Sequence, residues 1–374
     1  MNKSSLNLLT SIAEIKKPLK LDSGKIINEY NLKYETYGSL NEERTNAVLI
    51  CHALSGNHHA AGCYENDSKP GWWDNMIGPN KPIDTNKLYV VSVNNLGGCH
   101  GSTGPTSINP HNDKIYGSSF PIVTVGDWVN SQKQLMDHLN LSSWRFIIGG
   151  SLGGMQALQW TIQYPALVKN CIIIAAAPKL TAQNIAFNEV ARQAIMKDPD
   201  WHDGNYIEKG VTPSQGLALA RMLGHITYLS DESMGEKFGR DLKQSKLGFN
   251  YDVEFQIESY LRYQGEKFVT GFDANTYLLM TKSLDYFDPI KDFGESLNEI
   301  FKSVSTKYLI VSFTSDWRFP PKRSKELVKL LVDNEKNVSY SEINSEGGHD
   351  AFLMENRDYF DVIESFINEV NNGV

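Results

Sequence analysis

The chain has 374 residues, of which 41% are hydrophobic, 11% aromatic and 21% charged. It is long enough to bury a large core without disulfide or metal staples and too aromatic for a disordered polypeptide. Lys and Arg number 36 against 44 Asp and Glu, a formal net charge of −8, which argues against a nucleic-acid-binding face.

The N-terminal MNKSSLNLLTSIAEIKK holds a short apolar stretch broken by Thr10, Ser11 and Glu14, with no small-residue cleavage site behind it, so no signal peptide is expected. Residues 26–37 alternate like a strand, and a turn follows at Gly38-Ser39-Leu40-Asn41. Residues 47–51 (AVLIC) and 88–93 (LYVVSV) are short apolar runs of the kind that form buried parallel strands. A helical period covers 125–139, a strand is expected at 144–148, a helix over 154–164 stopping before Pro165, and a further strand over 168–177. This alternation of strands and helices predicts an α/β fold, a mostly parallel sheet with helices on both faces.

After Pro178 the pattern becomes helical: 181–196, 213–229, 252–268 and 274–286. Strand–helix alternation returns with a strand at 308–313, a helix at 322–333, a strand at 338–343 and a last helix at 358–370. The expected organisation is an α/β core of residues 1–178 and 296–374 with a helical lid, 179–295, inserted between its strands. The four cysteines, at 51, 63, 99 and 171, form no C-x-x-C pair, so neither a zinc ribbon nor a thioredoxin motif is expected, and their scarcity fits a reducing compartment; the strongest apolar run, 171–177, is too short to span a bilayer. A cytoplasmic location and no membrane partner are expected.

The sharpest motif is Gly149-Gly150-Ser151-Leu152-Gly153, a G-x-S-x-G between the strand WRFII and the helix GMQALQW. Such a turn projects a strained serine, and small residues are needed two before and two after it because strand and helix pass too close for side chains. Ser151 is the candidate nucleophile. In this order of elements an acid and then a histidine follow the serine. His349, in Glu346-Gly347-Gly348-His349-Asp350 after the last strand, is the candidate base; His202 and His225 lie in a polar loop and in the helical block. Asp316, after the strand YLIVSF, is the candidate orienting acid, with Asp350 as a rival whose adjacency to His349 points it away from the ring. Backbone N–H groups of Leu152 and of Leu54, in the loop after AVLIC, are the candidate oxyanion donors.

His52, His58 and His59 share that loop, but without a further ligand at regular helical spacing they are read as a polar loop and no metal is expected. The glycine-rich run 94–105 ends in Gly-Pro rather than Gly-Lys-Ser/Thr, which speaks against a phosphate loop, and Cys99 within it has no base and acid to make it a nucleophile.

With these residues in place, the chain resembles the homoserine O-acyltransferases of the α/β-hydrolase superfamily, the first committed enzymes of microbial methionine synthesis. The likeness runs through CHALSGNHHAAG, GWWDNMIGPNKPIDT, NNLGGCHGSTGP, GGSLGGMQALQW, PKLTAQNIAFNEVARQAI, ARMLGHITYLS, SFTSDWRF and GGHDAFL, over nearly the whole length. It implies an α/β-hydrolase fold, Ser151 with an Asp316–His349 pair, and a helical lid that builds a tunnel and a homodimer interface. It also implies that homoserine is held by Arg221, on its carboxylate, and Asp350, on its ammonium. Acyl-CoA is then a co-substrate and no cofactor is needed.

The family divides by donor. Acetyl-using members tend to carry an apolar residue two after the Asp, where this chain has Arg318, whose charge suits a succinyl carboxylate. The expectation is therefore succinyl transfer from succinyl-CoA to L-homoserine. The alternatives are acetyl-CoA as donor, serine as acceptor, or an esterase or thioesterase in which water takes the second step.

Overall fold

A computed structural model of the chain describes residues 6–65, 69–294 and 296–371. Eight strands make one sheet: β1 (Leu9–Ile15), β2 (Tyr30–Tyr37), β3 (Ala47–Cys51), β4 (Tyr89–Val93), β5 (Trp144–Gly150), β6 (Val168–Ile174), β7 (Lys307–Phe313) and β8 (Val338–Ile343). Their spatial order is β1-β2-β4-β3-β5-β6-β7-β8, with β1 and β2 antiparallel to each other and β2 antiparallel to β4, and every pairing from β4 to β8 parallel. The central strands are buried along almost their whole length, as a parallel sheet covered on both faces requires.

One face is covered by α1 (Val125–His138), α2 (Leu152–Gln163) and α10 (Pro321–Asp333), which bury Trp128, Met155, Trp160 and Leu331 against Trp144 and Ile147 of β5. The other face holds Trp73, Phe313 and the stripe Tyr359, Ile363, Phe366 and Val370 of α11 (Arg357–Asn371), whose spacing by three and four places one apolar side on the sheet. Each such side chain fully buried is worth about 1.5–3 kcal/mol. Helix α1 begins where its sequence says it should: the Thr124 hydroxyl accepts from Asp127 N–H and the Asp127 carboxylate accepts from Thr124 N–H.

Between β6 and β7 run α3 (Ala182–Met196), α4 (Ser214–Tyr228), α5 (Asp231–Phe238), α6 (Gln256–Val269), α7 (Ala274–Tyr286), α8 (Pro289–Phe293) and α9 (Ser296–Ser303). Helix α4 packs against α3 and α6. Helix α7 is tied to the sheet side: Ser283 Oγ donates to Val123 O at 2.7 Å and Thr276 Oγ1 to Gly97 O at 3.2 Å.

The structure departs from the sequence reading at several elements. The N-terminal stretch forms β1, an edge strand that exposes Leu9 and Ile12, so it lacks a clean inside–outside alternation. The strand expected over 26–37 is broken, Ile26–Ile27 pairing with Leu19–Lys20 in a small hairpin before β2 starts at Tyr30. Strand β6 stops at Ile174 because Ala175 adopts φ +47°. Helix α2 starts at Leu152 rather than at 154, and α6 at Gln256 rather than at 252, where the Glu258 carboxylate accepts from Glu254 and Phe255 N–H at 2.8 Å each. The charged α5 and the short α8 and α9 had no expected counterpart.

Candidate active site

Strand β5 lies mid-sheet between β3 and β6, and the chain turns sharply at its carboxyl end. Ser151 takes φ +56° and ψ −121°, a strained conformation for a residue with a side chain, fixed by its N–H donating to Ile174 O at 2.9 Å. The flanking glycines are there for space: a Cβ on Gly149 would sit 2.2 Å from Gly153 O, and one on Gly153 would sit 2.0 Å from Cys51 O. The serine is thus lifted out of the turn at the N-terminus of α2, whose free N–H groups and dipole favour a negative charge beside it.

Ser151 Oγ is 2.8 Å from His349 Nε2, and His349 Nδ1 is 2.7 Å from Asp316 Oδ2. The carboxylate can only accept, so Nδ1 carries the proton and Nε2 is left to accept from the serine. Asp316 and His349 are buried. The loops that carry them, after β7 and after β8, are tied together by Gly348 N–H donating to Ser315 Oγ at 2.9 Å. The turn holding His349 is fastened from the other side by Trp73 Nε1 to Phe352 O and Asn75 Nδ2 to Leu353 O, both 3.0 Å. Asp350, the rival orienter, does not bond the ring, whose Nδ1 is taken by Asp316.

A cavity of about 90 Å³ opens at Ser151, and Leu54, Arg221, Arg318, His349 and Asp350 all face it. Leu152 is the first residue of α2, so its N–H has no partner within the helix, and Leu54 N–H donates no backbone hydrogen bond among the described residues. The loop carrying Leu54 is braced from below. His52 Nδ1 donates to Ala53 O at 2.7 Å, its Nε2 accepts from Asn95 N–H at 3.1 Å, and Gln156 Nε2 of α2 donates to His52 O at 3.1 Å. Burial pushes the His52 imidazole down to about 4, so it is neutral and keeps this tautomer. This bracing role was not visible in the sequence, where His52 was one of three loop histidines.

The other two face away from metal chemistry. His59 Nδ1 is 3.0 Å from the buried Glu35 carboxylate, which also accepts from Tyr37 and Tyr64 hydroxyls, and burial pushes His58 down to about 4. No group of three or more His, Cys, Asp or Glu able to hold a metal ion occurs among the described residues. Burial pushes the Cys99 thiol up to about 11, which makes it a poor nucleophile. His225 is buried in α4 beside Tyr260, far from the role of base.

Arg221, on α4, spreads its guanidinium over Phe268, 4.6 Å from the ring centroid, and donates to Ser55 Oγ at 3.4 Å. Arg318 is 7% exposed; Nη1 donates to Thr227 Oγ1 at 2.6 Å and Nη2 to Asn188 Oδ1 at 3.4 Å, with Tyr228 5.4 Å beneath. The arginine ion pairs among the described residues all belong to other arginines, so Arg221 and Arg318 present two cations to the cavity with no carboxylate within ion-pair distance. Asp350 faces them across it, its carboxyl pushed up by burial and partly drawn back by His349 and Arg221. A larger cavity of about 310 Å³, between α3, α7 and the 105–122 loop, contains none of the expected site residues. No helix among the described residues is long and apolar enough to cross a membrane.

Residues 46–355 match the family model described as alpha/beta hydrolase fold. The homoserine O-succinyltransferase of Hydrogenovibrio crunogenus is 62% identical over 356 residues, 95% of this chain and 92% of that protein. That of Nitrosospira multiformis is 59% identical over 360 residues, 96% of each. The crystal structure of homoserine O-acetyltransferase from Bacillus anthracis superposes with a TM-score of 0.89 at 29% identity, covering 96% of this chain and 98% of that one. Esterase E22 superposes with a TM-score of 0.87 at 31% identity, covering 96% and 100%.

Proposed function

Because the chain belongs to the homoserine O-succinyltransferase family within the α/β hydrolases, we propose that it transfers the succinyl group of succinyl-CoA to the hydroxyl of L-homoserine, an early step of methionine biosynthesis. Ser151 Oγ attacks the thioester carbonyl as its proton passes to His349 Nε2; the O–C bond forms, the C–S bond breaks, and the proton leaves with CoA. The homoserine hydroxyl then gives its proton to Nε2 and attacks the acyl carbon, and Ser151 leaves with that proton. Leu54 and Leu152 N–H groups hold the oxyanion in both steps, and Asp316 holds the imidazole in its tautomer.

Arg221 grips the homoserine carboxylate and Asp350 its ammonium. The observation that carries donor choice is Arg318: a buried cation facing the nucleophile's cavity, held by neutral groups alone. Burying a charge is costly unless it is paired, and the free carboxylate of a succinyl group supplies the pair. Acetyl-CoA offers nothing to this charge. Acyl-CoA is a co-substrate, and the reaction calls for no cofactor and no metal.

The described residues 179–294 act as the lid over the cavity. The exposed Val190, Leu219, Ile226 and Tyr263, on α3, α4 and α6, support pairing of two chains through these helices as a homodimer. A cytoplasmic location fits substrates of central metabolism. The likeness to esterase E22 keeps one alternative, ester hydrolysis, in view. The test is turnover with succinyl-CoA and acetyl-CoA, each with homoserine, serine or no acceptor. Succinyl transfer to homoserine should exceed the rest, and a stoichiometric burst of CoA should appear without acceptor and vanish in Ser151→Ala. Rapid turnover without acceptor would make the protein a hydrolase.

A further inference from the structure

We propose that Asn188, held in one orientation by Asp285, is a positioning residue that keeps the charge of Arg318 available to the acyl group; this rests on the donor role given above to Arg318. Asn188 and Arg192 stand one turn apart on α3, Asp285 lies near the end of α7, and Arg318 comes from the loop after β7. The contacts form a line. Arg318 Nη2 donates to Asn188 Oδ1 at 3.4 Å, Asn188 Nδ2 donates to Asp285 Oδ1 at 2.8 Å, and Arg192 Nη1 is 2.7 Å from Asp285 Oδ2. Asn188 is 3% exposed, and the Arg192 and Asp285 side chains are 4% and 8% exposed.

A guanidinium only donates and a carboxylate only accepts, so a primary amide between them fits in one sense: oxygen toward Arg318, NH₂ toward Asp285. The carboxylate is thereby kept one link away from Arg318, and its charge is met by Arg192. The amide gives Arg318 an anchor without giving it a counter-ion. An apolar residue at 188 would leave a buried N–H orphaned, and a carboxylate there would neutralise the cation before any substrate arrived. Thr227, the other anchor, is neutral for the same effect, its hydroxyl donating to Gly224 O at 2.8 Å and accepting from Arg318.

The experiment moves the carboxylate one link along. Asn188→Asp with Asp285→Asn keeps one amide and one acid in the line but places the acid on Arg318. With homoserine saturating, kcat/KM is measured for succinyl-CoA and acetyl-CoA, and folding is followed by thermal melting. The succinyl-to-acetyl ratio should fall about tenfold or more, chiefly through a higher KM for succinyl-CoA. In an Arg318→Leu background the same exchange should leave the ratio where Arg318→Leu alone puts it, because the residue it acts through is gone. If the exchanged protein does not fold, Asn188→Leu takes its place, and the ratio should again fall. Equal losses with both donors, or the same fall in the Arg318→Leu background, would overturn the role of Asn188. A ratio unmoved by Arg318→Leu itself would overturn the donor role of Arg318 instead.

Discussion

Phe319 N–H donates to Asp316 Oδ1 at 2.8 Å, which commits the other carboxylate oxygen, Oδ2, to His349. The consequence for Asp316→Asn is specific. The amide oxygen must face the Phe319 N–H, so the NH₂ group is turned onto His349 Nδ1 and forces the wrong tautomer. Turnover should fall by about 10⁴-fold with the fold intact, the size seen for comparable triads. Activity within tenfold of wild type, measured beside an unchanged melting curve, would move the orienting role to another residue.

Arg318→Leu removes the cation that faces the cavity. Succinyl transfer should drop by a factor of roughly hundreds to thousands, corresponding to about 3–5 kcal/mol for breaking one side of a desolvated pair. The ratio of donors is the quantity to read, since a packing defect lowers both rates together. A wild-type preference for acetyl-CoA, or equal losses with both donors, would replace succinyl by acetyl in the reaction.

Arg221→Lys keeps the charge but loses the planar fork, and Asp350→Asn loses the charge proposed to meet the ammonium. Both should raise the KM for homoserine while sparing the CoA burst from acyl-CoA alone. Loss of the burst with normal homoserine affinity would place both residues in the first half-reaction.

Asp350 also ties stability to pH. Burial raises its carboxyl above the ordinary range, so the charged form is disfavoured in the folded chain and the stability it withholds is withheld above the folded value. Asp350→Asn should therefore melt higher than wild type at neutral pH, with the gap closing as pH falls to the usual Asp range near about 4. A lower melting temperature at neutral pH would mean that the charge is held by partners and stabilises the fold.

Gly153→Ala asks for space that the elbow lacks, since the new Cβ would lie 2.0 Å from Cys51 O, a backbone atom that cannot step aside. Overpacking of this kind costs about 1–3 kcal/mol and more where backbone is the obstacle. The variant should melt several degrees lower or fail to fold. An unchanged melting point would show that β3 and α2 can separate without penalty.

The sheet was legible where strands are unbroken β-branched runs, as in AVLIC and YLIVSF, because burial on both faces leaves a signal that does not depend on phase. Strand β1 was not, since an edge strand with Leu9 and Ile12 turned outward obeys neither pattern. The triad was legible because a strained serine, an acid and a histidine each stand at a strand end whose neighbours are visible. The line from Arg318 through Asn188 and Asp285 to Arg192 was not: its members come from α3, α7 and the loop after β7, and an asparagine in a helix has no mark that tells a solvated amide from a buried one. Likewise Glu35, His59, Tyr37 and Tyr64 form a closed set only once β2 meets the loop after β3.

Ser151, Asp316 and His349 hang from β5, β7 and β8, and the helical segment separates the first from the others along the chain. A ribosome making this protein therefore releases the serine and its elbow well before the histidine. Until the last strand has paired, the nascent chain holds a hydroxyl with no base, and an unassisted serine is inert toward thioesters. Synthesis order alone keeps partly made chains from consuming acyl-CoA, and a chain cut short before β8 would carry Ser151 without His349.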